Sequence, residues 1–432
     1  MSRSPTPRLL LLLSLALVVP LWSGCGPTEP IDKPDTEEPD AGEPDTGEPD
    51  AGEPDAGEPD AGEPDPFVEH VRKVVIARPW PKAGFDCVPV WEVLDLLEDG
   101  TLVWPKPRVT FEMGVGSEGN VVFTPDGKYG IASQKDGFIG IFTFDEDGKP
   151  RVIKATWRGP NDDFYSSGVV MDPSGKRFYV IDHNWANNGG GVYSVRLEAS
   201  GEPVLEGKVF SAKLGSQLGF LPNQPGEVLY HSIETLDAPA NTDFHRLKWG
   251  GIPTRLTSVS AFSAGNNSVS AMAISPDGAW VLLSDSPFTE GQSGRVAVVS
   301  IAQDSPELQV IHHVEGVKNP SGLAWSPYGN VAIALENFGD EVKVLPFDTS
   351  KPEEPLSFQG SMTYSSEARA LPHTIHVIDQ GNLRGLTLIS ELRGIRKIQF
   401  HPDGTVEDLG LIPLIEGLEG NEIIVRTMGV QP

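Results

Sequence analysis

Two histidines and a set of carboxylates carry most of the chemistry this sequence can offer. His183 directly follows Asp182, His231 directly precedes Ser232, and Asp285, Glu336 and Glu391 each close a short apolar run. Arg78 and Gln134 hold the same place after apolar runs of their own. Carboxylate oxygens drawn together hold a hard cation such as calcium, and a neutral imidazole beside them serves as general base toward a polarised ester carbonyl. On that reading His183 and His231 are the catalytic candidates, while Arg78, Gln134, Asp182, Asp285, Glu336 and Glu391 bind the ligand or a cation. The plainer reading is that all of these residues open wet loops, since no spacing among them discriminates as a zinc or P-loop motif does.

Other groups offer less. Gly189-Gly190-Gly191 follows one strand and precedes another, so it lacks the helix that a phosphate loop requires. His312-His313 and the pair His373 and His376 have no carboxylate or cysteine at metal-ligand spacing. No Gly-x-Ser-x-Gly elbow is present. Cys87 has no histidine or asparagine nearby and reads as a small buried apolar residue. Trp80, Trp91, Trp104, Trp157, Trp185 and Trp249 read as packing or rim aromatics.

The elements that must position these groups repeat. Phe123-Thr-Pro-Asp-Gly-Lys128, Met171-Asp-Pro-Ser-Gly-Lys176, Ile274-Ser-Pro-Asp-Gly-Ala279 and Trp325-Ser-Pro-Tyr-Gly-Asn330 each lie between two apolar, β-branched runs. Their turn glycines, together with Gly226 and Gly381, are 48 to 52 residues apart. That is the length of one four-stranded propeller blade. In the first repeat Gly119–Phe123 and Lys128–Ser133 form strands a and b, and Phe138–Phe144 and Arg151–Trp157 form c and d. Turns between c and d recur near Gly201, Gly250, Ser305, Pro352 and Gly404, and once earlier at Gly100.

Seven c/d hairpins stand against six a/b hairpins. The chain ends supply the missing pair, with Asn421–Thr427 as strand a and Val71–Ala77 as strand b of a shared last blade. The expectation is an all-β, seven-bladed propeller over residues 67–432, closed by strand a from the C-terminus and strands b, c and d from the N-terminus, which leaves no open sheet edge. In such a ring the d-to-a and b-to-c connections emerge on one face, around the channel mouth, and the candidate residues above sit at the ends of strand b.

Residues 1–66 are of another kind. Arg3 and Arg8 precede the apolar run Leu9–Val19, the pattern of an export signal over residues 1–24 and too short for a bilayer span. Between residues 26 and 66 there are 16 acidic residues against Lys33 alone, and the motif Glu-Pro-Asp-Ala/Thr-Gly repeats nearly unchanged. From Glu43 to Asp65 proline at every fifth position, like-charge repulsion and no apolar side chain larger than alanine exclude a core, and residues 25–66 as a whole read as a solvated acidic tether. A net charge of −28 excludes a nucleic-acid partner. Two cysteines, one of them at the end of the leader, exclude a disulfide framework.

Two resemblances follow from these residues. Leu21-Trp-Ser-Gly-Cys25 resembles a bacterial lipobox, with Trp22 in place of the usual aliphatic residue. It implies a diacylated Cys25 at the mature N-terminus, a membrane anchored through lipid and, with Gly26 rather than Asp next, outer-membrane sorting in the cell envelope. Asp172-Pro-Ser-Gly-Lys-Arg-Phe-Tyr-Val-Ile-Asp182 and Ser275-Pro-Asp-Gly-Ala-Trp-Val-Leu-Leu-Ser284 resemble the repeats of the seven-bladed YVTN and lactonase-like propellers, a group that holds both binding proteins and lactone hydrolases. In the calcium-dependent gluconolactonase-like propellers an Asn precedes the Gly-Leu at the start of a strand a; here Ser321 stands there, with Asn319 two residues earlier, and Glu118 suggests that group's first ligand.

Two functions are therefore expected. The first is a lipid-anchored binding or scaffold module that presents a propeller face to a protein or glycan partner. The alternative is a lactonase-like hydrolase that uses the polar ring at the channel mouth, with calcium as a possible cofactor.

Overall fold

The computed structural model describes residues 70–78, 90–113, 120–134, 138–157, 159, 164, 166–183, 190–235, 242–250, 253–262, 268–286, 293–318, 320–336, 341–363, 372, 374–391, 394–413, 425 and 427–432. The leader and tether, Cys25, Cys87, Trp80, Trp185, Glu118 and Asn319 lie outside them.

Strands account for all the regular structure of the described residues. In chain order they are β1 (His70–Arg78), β2 (Val90–Leu97), β3 (Leu102–Val103) and β4 (Val109–Glu112); β5 (Val121–Phe123), β6 (Tyr129–Ser133), β7 (Ile139–Phe144) and β8 (Pro150–Trp157). Next come β9 (Ser166–Met171), β10 (Arg177–Asp182), β11 (Gly191–Leu197) and β12 (Pro203–Phe210), then β13 (Ala212–Phe220), β14 (Glu227–Thr235), β15 (Phe244–Lys248) and β16 (Thr254–Val259). The last are β17 (Ser268–Ile274), β18 (Trp280–Ser286), β19 (Ser293–Ile301), β20 (Leu308–Lys318); β21 (Pro320–Trp325), β22 (Val331–Glu336), β23 (Glu341–Pro346), β24 (Gly360–Thr363); β25 (Ile375–Val377), β26 (Leu386–Glu391), β27 (Gly394–Phe400), β28 (Val406–Pro413) and β29 (Thr427–Val430).

They form seven antiparallel sheets. Six are blades of four consecutive strands, from β5–β8 through β25–β28, and the seventh runs β29-β1-β2-β3 with β4 also paired to β2. Its outer strand is thus made in two pieces. The seven-bladed propeller and its shared last blade are as the repeat count requires.

The a/b hairpins form because their glycines take the left-handed turn conformation that a side chain resists: φ is 69° at Gly127, 70° at Gly175, 67° at Gly278 and 74° at Gly329. Strand b is buried over most of its length; β22, for example, is buried along its whole length. It has apolar residues on both faces because each blade packs against two neighbours. Seven apolar clusters fill the seven blade interfaces. Tyr129, Ile131, Val169 and Phe178 join the first two blades, and Val74, Ile76, Leu386 and Leu388 join the sixth to the closing sheet. Trp91 is fully buried between the closing sheet and the first blade, and Trp249 stands edge-on against Tyr179 with ring centroids 4.7 Å apart.

One expected strand is shifted. The C-terminal strand is Thr427–Val430, whereas the apolar pattern places it at Asn421–Thr427, and residues 421–424 lie outside the described set. Propensity favours the Ile423-Ile424-Val425 run, but register is decided by what the interface must hold. Val430 pairs with Val74 and Met428 with Ile76, and both side chains enter the cluster on the sixth blade. Gly429 lies against the first blade, where a Cβ would meet Val121 at 2.6 Å.

Candidate functional site

Ladder register places the ring residues at equivalent positions. Asp182 pairs with Ser166, Asp285 with Val269 and Glu336 with Pro320, each at the start of strand a in its blade. In the third blade that place belongs to Ser232, paired with Gly215. His231 is therefore one residue before the ring and faces the other side of its strand. Arg78 ends β1 and pairs with Val90; only its backbone is described.

The ring is buried, and its charges are met from within the same blades. Arg295 Nη2 donates to Asp285 Oδ2 at 3.0 Å, Lys343 Nζ lies 3.5 Å from Glu336 Oε1, and Arg396 Nε donates to Glu391 Oε1 at 2.6 Å. Each cation comes from the neighbouring strand c. Arg396 also reaches Asp408 on β28, 2.6 Å away. Burial pushes the Glu391 carboxyl up to about 7, against the pull of Arg396. Asp182 Oδ2 accepts from the Gly190 N–H at 3.1 Å, and Gln134 Nε2 donates to the Ala155 carbonyl at 2.9 Å. The Gln134 Oε1 and Asp285 Oδ1 atoms are buried without a hydrogen-bond partner.

This arrangement does not fit a calcium ion. Calcium needs six to eight oxygens around one point, whereas these carboxylates come from separate blades, and Asp285, Glu336 and Glu391 are held by arginine or lysine. Among the described residues no group of three or more His, Cys, Asp or Glu could hold a metal ion. Ser321, at the gluconolactonase-like ligand place, donates its hydroxyl to the Pro372 carbonyl at 3.1 Å.

A different constellation gathers in the third blade. Gly215 pairs with Ser232 and Gln217 with His231, so Ser216 is the extra residue of a β-bulge. Its Oγ lies 2.7 Å from His231 Nδ1. On the other side of the ring, His231 Nε2 is 3.9 Å from Asp243 Oδ2. Asp243 immediately precedes β15, and its two oxygens accept the N–H groups of Ala261 and Phe262 at 2.6 and 3.1 Å. A carboxylate facing Nε2 favours the tautomer protonated there, which leaves the Nδ1 lone pair to accept the serine hydroxyl.

His231 is 1% exposed, and burial, with His245 and His183 nearby, lowers its pKa to about 3, so the imidazole is neutral. Burial raises the Asp243 carboxyl, with Asp285 contributing in the same sense. Burial likewise lowers His245 to about 4, and its Nδ1 lies 2.8 Å from Ser258 Oγ. His183 Nδ1 lies 2.9 Å from the Gly215 carbonyl, to which it donates because a carbonyl can only accept. The structure thus brings His183 and His231 to the same bulge, His183 on its backbone and His231 on its side chain. The bulge is closely packed: a Cβ on Gly215 would fall 1.9 Å from the Tyr230 hydroxyl.

Two other blades provide a comparison. Ser167 and Ser321 occupy the same bulge position in β9 and β21, and their hydroxyls donate to backbone carbonyls, Ser167 to Ile181 at 3.3 Å and Ser321 to Pro372. Ser216 alone of these three meets an imidazole. Neither Ser216 nor Asp243 stands out in the sequence as a candidate. The recurrence of serine at 167, 216 and 321, at one and two blade periods, was the available signal for the bulge. Nothing in the linear order pairs residue 216 with 243.

The fold defines the class: a seven-bladed β-propeller with polar residues at the ends of its b strands. No protein-family model matches the chain, and no curated protein does. Solved structures do match. A protein from Lactobacillus plantarum shares 9% identity over 84% of this chain and 99% of its own, with a TM-score of 0.61. A proposed 6-phosphogluconolactonase from Bacteroides fragilis shares 12% over 85% and 99%, at 0.56. The periplasmic gluconolactonase of Pseudomonas aeruginosa shares 14% over 68% and 82%, at 0.52. Identities this low establish a common fold and leave the activity to the site.

Proposed function

We propose that this propeller is a lactonase-like hydrolase that opens a cyclic ester beside the β13 bulge of its third blade. The observation that carries this reading is the neutral, buried His231, with a hydroxyl at its proton-accepting Nδ1 and Asp243 behind its Nε2. A neutral imidazole can accept the hydroxyl proton; burial alone would leave it a weak base, and the carboxylate 3.9 Å behind Nε2 is placed to steady the imidazolium as it forms. The sugar-lactone names borne by two fold neighbours point to the same substrate class. The binding-module reading has no comparable observation in its favour. No step of this mechanism draws on calcium; Asp285, Glu336 and Glu391 are held by Arg295, Lys343 and Arg396.

Lactone opening releases a proton at neutral pH, so an indicator assay over a panel of sugar-acid and aliphatic lactones tests the reading. Turnover above the spontaneous rate is expected, with a loss of about 10²–10⁴-fold in His231→Gln, the usual contribution of a general base. A protein that opens no lactone in the panel would refute the proposal.

A further inference from the structure

The hydroxyl at the His231 base belongs to the protein rather than to water. We infer that Ser216 is a catalytic nucleophile and that ester cleavage on this propeller passes through an acyl-enzyme on its Oγ. The inference rests on the hydrolase reading above and goes beyond it by assigning the attacking atom and extending the substrate class to small open-chain esters.

Three observations carry it. The first is the order Ser216 Oγ, His231 Nδ1 and Nε2, Asp243 Oδ2, at 2.7 and 3.9 Å, which provides nucleophile, base and orienting carboxylate in sequence. Catalytic contacts of this type are often long before substrate binds. The second is accessibility: Ser216 is half-buried while His231 and Asp243 are buried, so the serine is the most exposed of the three. The third is the internal comparison. The same bulge in the second and fifth blades is held by serine-to-carbonyl bonds, so the fold does not need a histidine there.

The steps balance. Ser216 Oγ forms a bond to the acyl carbon as its proton passes to His231 Nδ1. The acyl carbon to alkoxy oxygen bond then breaks, and the imidazolium returns that proton to the departing oxygen. For a lactone this oxygen stays tethered as the hydroxyl of the acyl chain. Water attacks the acyl-enzyme, gives a proton to Nδ1, and the Oγ bond breaks as Oγ takes the proton back. The net reaction is ester plus water to acid plus alcohol.

The test uses the full-length protein with a small alkyl fluorophosphonate and, separately, p-nitrophenyl acetate. Expected are one phosphonyl adduct per chain mapping to Ser216, a stoichiometric nitrophenol burst, and loss of both in Ser216→Ala. Steady-state turnover in that variant should fall on the order of 10³-fold or more. Asp243→Asn should slow labelling while leaving the adduct at Ser216, an effect that a purely structural serine would not show. An adduct spread equally over Ser167 and Ser321, or lactone opening that persists in Ser216→Ala, overturns the nucleophile while leaving the hydrolase standing. Labelling and burst at Ser216 without lactone opening supports the nucleophile and overturns the lactone reading instead.

Discussion

His231 and His245 illustrate how burial turns a common residue into a constraint. In the folded chain they stay neutral down to about 3 and about 4, whereas in the unfolded chain both protonate near pH 6.5. The unfolded state therefore binds more protons on acidification, and stability falls as pH drops from about 6.5 toward 4. Glu391, held up to about 7, acts in the opposite sense: between about 7 and 4.5 it is protonated when folded and ionised when unfolded. His376, lowered to about 4 by burial, adds a third imidazole, and three imidazoles less one carboxyl leave a net slope of roughly 2–3 kcal/mol per pH unit in that window. Glu391→Gln removes the compensation, so the slope should steepen by about half. Denaturant melts at pH 7.5, 6.5 and 5.5 measure it, and an identical slope in the variant would contradict this account. At this scale the sequence was partly readable. It pointed to His183, His231 and the carboxylates as polar strand ends, but the ion pairs that neutralise those carboxylates depend on strand c side chains such as Arg295 and Arg396, whose reach is set by ladder register.

At the scale of elements, β29 closes the ring. Its four residues pair with β1, Met428 and Val430 fill the interface with the sixth blade, and Gln431 extends the join by donating from Nε2 to the Gly127 carbonyl at 2.8 Å. Deleting residues 427–432 removes two buried side chains worth about 1.5–3 kcal/mol each and exposes the edge of β1 to solvent. A melting temperature lowered by many degrees, with a broadened transition, is expected from calorimetry; melting close to that of the intact protein would show that closure lies elsewhere. The period of the turn glycines disclosed the blades, and the excess of c/d over a/b hairpins disclosed the shared sheet. The position of the C-terminal strand was misread by several residues because Ile423-Ile424-Val425 has the better local pattern, while Gly429 is what lets β29 lie against Val121.

For the whole chain, the propeller has to be placed in the cell. We propose that residues 1–66 do this, through an apolar leader, Cys25 in a lipobox-like setting, and an acidic repeat. Lipid attachment at Cys25, with the tether as spacer, would keep the head and its mouth clear of a membrane. Cys25→Ser should shift the protein from the membrane pellet to the soluble fraction; unchanged sedimentation counts against the anchor. The tether's composition alone argues for this arrangement, since no packing is needed to make a proline-rich, like-charged segment extended.

Whatever repeats is legible in the chain itself. The blade length, the number of sheets, their turn chemistry and the joining of the two ends all follow from periodicity, because each blade obeys the same local rules of apolar alternation and glycine turns. What occurs once depends on folding. Ser216 and His231 come from two strands of one blade and Asp243 from the residue just before a third, and only the bulge in β13 turns the serine toward the imidazole while the approach to β15 brings the carboxylate behind it. Side-chain convergence across a sheet is set by register and packing, and neither is written in the linear order of residues.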